Sequence, residues 1–79
     1  MCQVYQCQKQ VEEAAYNSML KVNPAVIEGL RKILNNGKTA RWIEQVIRKK
    51  YGDNNLTATS MICAAYHMES RPELLDVKS

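Results

Sequence analysis

Seventy-nine residues, 46% hydrophobic and 24% charged, are enough for one small domain over 1–79 and too apolar for wholesale disorder. The net charge of +3 is mild, and no apolar run is long enough to span a membrane. Met1-Cys2-Gln3-Val4-Tyr5-Gln6 lacks the charged-then-apolar layout of a secretory signal, so a cytoplasmic location is expected. Cys2, Cys7 and Cys63 are an odd number of cysteines, which favours reduced thiols over paired disulfides. The Cys2–Cys7 spacing is not that of a usual zinc pair, and His67 is the single histidine; neither metal nor cofactor is expected.

The first helix is expected over roughly residues 3–22. Val4, Cys7, Val11, Ala14 (or Ala15) and Val22 fall on one stripe, Met19 lies beside it, and Lys9, Glu12, Glu13 and Lys21 lie off it. This helix could cover its own core or pair with its copy. Barely three heptads, with Gln8 inside the stripe, favour the intrachain role. Asn23-Pro24 opens the second helix, over 24–35, with an Asn cap and a proline at the first position. Val26, Ile27, Leu30, Ile33 and Leu34 form its buried stripe, Glu28, Arg31 and Lys32 face water, and Gly29 lies at the boundary. Asn36-Gly37 closes it.

Thr39 caps the third helix, over 39–51. Ala40, Ile43, Val46 and Ile47 share its packing face, while Arg41, Gln45 and Arg48 share the opposite one. Trp42 falls at the edge, Glu44 can pair with Arg48, and Gly52 stops the helix. The fourth helix, over 57–69, is apolar nearly all round, with Leu56 placed to staple onto Ser60 or Met61. Such a helix is central, or offers one flank to a partner. Arg71-Pro72 ends it, and residues 70–79 read as a short polar tail whose Leu74 and Leu75 can tuck back. With no strand-like alternation, the expected fold is all-α, a compact four-helix bundle.

Charge is unevenly placed. Residues 29–52 hold Arg31, Lys32, Lys38, Arg41, Arg48, Lys49 and Lys50 against Glu44, a net +6, between segments of −1 and −2. An acidic partner would dock there. Gly37, Thr39, Ile43 and Val46 stand where a helix-turn-helix places its turn glycine, its hydroxyl cap and its branched apolar support, so the second and third helices resemble that motif. The resemblance implies that Arg41, Gln45 and Arg48 read base edges and that Lys38, Lys49 and Lys50 contact phosphates, while the wider candidate macromolecule-binding face is Arg31, Lys32, Lys38, Arg41, Gln45, Arg48 and Lys49. Ile33 and Lys38 depart from the pattern. Residues 43–51 and 53–56 also bear a slight, gapped resemblance to small nucleoid-modulating proteins of the Hha and YmoA type, which act by binding a larger DNA-binding protein. That family's C-terminal helix has no counterpart here, and no residue role is carried over.

A protein interface is the competing expectation. Met61, Ala65 and Met68 share one side of the fourth helix, and Trp42 is amphipathic, so Trp42, Met61 and Met68 are its candidate contacts. Cys63 and His67 stand one turn apart, but no orienting group or oxyanion hole accompanies them, and a buried thiol beside a helix-end histidine is the simpler account. The sequence therefore favours a non-enzymatic regulatory or inhibitory module of bacterial or phage type that binds a protein or itself. The alternative is a DNA-binding regulator using helix 39–51. No membrane or small-molecule substrate is indicated.

Overall fold

Helix formation follows the punctuation of the chain. The computed structural model describes residues 9–75 and is all-helical there: α1 Lys9–Val22, α2 Pro24–Asn35, α3 Ala40–Tyr51, α4 Leu56–Ser70 and α5 Pro72–Leu75. The expected helical positions 3–8, with Val4 and Cys7, lie outside the described residues. Proline at the start of α2 lacks only an amide that would be orphaned there anyway. Gly37, at φ +97°, supplies the left-handed turn after α2, and Gly52, at φ +86°, ends α3 with its N–H on the Arg48 carbonyl at 2.8 Å. Thr39 Oγ1 accepts the Trp42 N–H at 3.0 Å, and Asn55 Oδ1 accepts the Ala58 N–H at 2.9 Å. The Asn55 cap starts α4 at Leu56, one residue before the expected position.

A helix that is apolar on all sides must be enclosed, and α4 is. Ala58, Ile62, Cys63, Ala64, Ala65 and Met68 are buried, and α1, α2, α3 and α5 all pack on this one helix. Its small residues let the neighbouring helices come close. Helix α1 runs antiparallel to α4: the Tyr16 and His67 rings lie 5.1 Å apart, while Met19 and Val22 share a cleft with Leu56 and Ser60 at the other end.

Three expectations are corrected. The inward face of α1 is Glu12 and Tyr16, with Ala15 and Met19 partly buried, whereas Val11, Ala14 and Val22 are exposed. The heptad count ranked small apolar residues above Tyr16, whose ring has far more surface to bury and packs tilted against the His67 ring. Leu56 is 84% exposed and staples nothing. The segment after Ser70 is not simply a polar tail. Residues 72–75 form α5, whose Leu74 and Leu75 pack against the core as their tuck-back position suggested. Arg31 Nε donates to the Leu74 carbonyl at 2.9 Å and Asn35 Nδ2 to the Leu75 carbonyl at 3.0 Å, fastening α5 to α2. No helix among the described residues is long and apolar enough to cross a membrane.

The orientation of α1 is open to direct test. Tyr16→Ala should lower unfolding stability by about 3 kcal/mol, as for other large-to-small core changes, whereas Val11→Ala should cost less than about 0.5 kcal/mol. Urea titration followed by circular dichroism measures both, and the reverse order would put the Val11 stripe inside.

Candidate functional site

The expected basic face divides into two groups. Arg48 Nε donates to Glu44 Oε2 at 3.2 Å, and its Nη1 lies 3.6 Å from Asp53 Oδ1, leaving the side chain 19% exposed. Glu44 Oε1 in turn accepts the Tyr66 hydroxyl at 2.6 Å, tying α3 to α4. Arg31 is held likewise, with Nη1 on Glu28 Oε2 at 2.6 Å and Nε on Leu74. Both arginines are therefore engaged inside the fold, contrary to their expected place on a free binding face. Lys32, Lys38, Arg41, Gln45 and Lys49 are exposed as expected. Glu69 Oε2 accepts the Ala40 N–H at 3.0 Å, so a carboxylate from α4 occupies the electropositive start of α3.

Beside this face lies an apolar groove of about 240 Å³. Helices α2 and α3 both rest on α4 and hardly on each other, so their facing sides stay apart. Val26, Gly29, Leu30 and Ile33 form the α2 wall, Trp42, Ile43, Val46, Ile47 and Tyr51 the α3 wall, and Met61 comes from α4. Val46, expected on the packing face, is 44% exposed, and Trp42 and Tyr51 are exposed beside it. The cause is rotational. Ala40, Ile43 and Ile47 meet α4, which leaves Trp42 and Val46 about a quarter turn to the side.

The groove is edged by cations. Lys38 Nζ sits 4.8 Å from the Trp42 ring centroid and Lys50 Nζ 5.6 Å from that of Tyr51. Of the expected protein contacts, Trp42 and Met61 line the groove, whereas Met68 is fully buried and belongs to the core. Val26, Gly29, Ile33, Val46 and Tyr51 were missed as site residues. Their signal was an apolar arc on α3 wider than one neighbouring helix can cover. A second cleft, between α1 and α4, has a more polar lining that includes Ser18, Asn23, Thr57 and Ser60. Cys63 and His67 are both buried, and no group of three or more His, Cys, Asp or Glu among the described residues could hold a metal ion.

Comparison with protein-family models, curated proteins and solved structures finds no match to this chain.

Two substitutions separate surface from scaffold on α3. Arg48→Ala should cost about 1 kcal/mol through loss of its part-buried carboxylate contacts, and Arg41→Ala should stay within about 0.5 kcal/mol of wild type; equal losses in denaturant titration would contradict the division. On α2, a Cβ added at Gly29 meets nothing within 4 Å. Gly29→Ala should thus stabilise the protein by about 0.5–1 kcal/mol through helix propensity, and a fall in thermal midpoint would show a hidden contact there.

Proposed function

We propose that this chain is a small non-enzymatic regulatory or inhibitory module, a compact helical bundle that binds a protein partner through the α2–α3 groove. The observation that carries the proposal is the outward placement of Trp42, Val46 and Tyr51 along one apolar channel. A chain with so little interior gains most by burying such side chains, so their joint exposure marks a contact surface. Aromatic residues are enriched where proteins meet, because they supply large contact area at small entropic cost. The channel lies between two helices already held by α4, which suits a third helix laid along it.

DNA binding by α3 is the second reading, favoured by Arg41, Gln45 and Lys49 at successive turns of one exposed face. Three features weigh against it. Val46 does not support α3 from beneath, Arg48 is engaged by Glu44 and Asp53, and the Glu69 carboxylate stands at the helix start where a phosphate would approach.

Fluorescence anisotropy with a mixed-sequence duplex, at low and at physiological salt, separates the two readings. Any binding should be weak at low salt and vanish at physiological salt. Affinity capture from cell extract should recover a partner with wild type and with the Arg41→Ala/Gln45→Ala protein, but not with Val46→Asp. Duplex binding that persists at physiological salt, survives Val46→Asp and is lost in Arg41→Ala/Gln45→Ala would transfer the function to α3 as a DNA reader.

A further inference from the structure

We infer that the occupant of the α2–α3 groove is an amphipathic helix of the partner whose apolar stripe is flanked by acidic residues; this rests on the groove being the docking site. Dimensions come first. Trp42 and Tyr51 are nine positions apart on α3, about 13 Å along the helix axis. That length accepts two to three turns of an incoming helix, with apolar anchors at i, i+3 or i+4, and i+7.

Charge fixes the chemistry of the flanks. The residues lining the groove include no carboxylate. On its α3 side Lys38 and Lys50 lie against the ring faces of Trp42 and Tyr51, and Lys49 follows Val46 by one turn. On the α2 side Lys32 is exposed one turn from Gly29. The nearby carboxylates of Glu28 and Glu44 are taken by Arg31 and Arg48. An entering carboxylate would therefore meet an ammonium group beside each aromatic anchor, and a lysine would meet repulsion.

The same charges argue against the other occupants. A second copy would bring an identical cationic rim into a self-complementary contact. Residues 1–8 of this chain contain no acidic side chain, and residues 76–79 balance Asp76 with Lys78.

Gly29 points the same way independently. It lies inside α2, where glycine weakens a helix, and no neighbour among the described residues needs the space its missing Cβ leaves. Its absent side chain flattens the α2 wall in the middle of the groove, where another backbone can approach closely.

The test uses the full chain and its own reporter, since Trp42 is the single tryptophan and lines the groove. Three synthetic peptides of about sixteen residues are titrated: a leucine stripe flanked by glutamate, the same stripe flanked by lysine, and the glutamate peptide in scrambled order. The glutamate-flanked helix should shift Trp42 emission to the blue and saturate, with an affinity about tenfold or more above either control. That preference should shrink as salt rises. Gly29→Gln, which fills the groove while keeping a good helix former, should weaken binding about tenfold with unchanged circular dichroism. Lys49→Glu/Lys50→Glu should reverse the preference between the glutamate and lysine peptides.

Equal binding of the two stripes would overturn the acidic assignment and leave the groove as a docking site. No saturable response to any peptide would overturn the inference, while the protein-binding proposal would still be judged by capture with wild type and Val46→Asp. A concentration-dependent dimer abolished by Val46→Asp would place a second copy in the groove and overturn it as well.

Discussion

Enclosing α4 is the constraint from which the rest of the structure follows. A helix with apolar residues on every side is stable only inside a ring of neighbours, and four of this chain's helices are used for that purpose. Helix α1 covers one side along its length, α3 another, and α2 with α5 covers the remainder. Each outer helix therefore has one arc turned to α4 and must leave its flanks to whatever lies beside it. Where α2 and α3 diverge, those flanks are apolar and no other described helix covers them. The groove is thus a consequence of using the most hydrophobic helix as the axis around which the described helices are arranged.

Polar groups on α4 then fix how its neighbours are turned. Glu69 binds the first amide of α3, and Tyr66 reaches Glu44 one turn further along. Two hydrogen bonds from one helix to successive turns of another leave little freedom to rotate about the long axis. They hold Ile43 and Ile47 inward, and with them Trp42 and Val46 to the side. The groove is accordingly preformed by bonds outside it, which lowers the ordering cost that a partner must overcome. His67 acts similarly toward α1, where its tilted ring contact with Tyr16 accompanies the inward face.

Much of this was legible from local chemistry. Pro24, Gly37, Thr39 and Gly52 mark helix ends through backbone conformations and caps that depend on neighbours in sequence, and α2 and α3 are bounded accordingly. The rotation of α1 was not legible, because helical periodicity ranks residues by polarity and cannot anticipate that Tyr16 has a ring partner in α4. Val46 was misplaced for a related reason. The wheel gives the centre of an apolar arc, but only the position of α4 decides which part of the arc is covered. Arg31 looked like a free surface cation because its carbonyl partner lies 43 residues away. Met61 and Met68 are equally apolar, and only the placement of α2 and α3 sends one to the groove and the other to the core.

The basic middle of the chain gains a different meaning once its cations are sorted by chemistry. Arg31 and Arg48 carry the planar, multi-donor group suited to holding carboxylates and carbonyls in fixed geometry, and both are held inside the fold. The lysines remain at the surface, and Lys38 and Lys50 lay their ammonium groups over the rings of Trp42 and Tyr51. A lysine stem is apolar and flexible, so it can shield a hydrophobic rim while its head stays hydrated. These side chains thus cover part of the exposed aromatic faces. On the proposed docking of a helix, the same side chains would present their charge to its flanks. On that proposal one set of residues both keeps the groove compatible with water and selects what fills it, which gives the lysines beside the aromatic rings a role distinct from that of the arginines held within the fold.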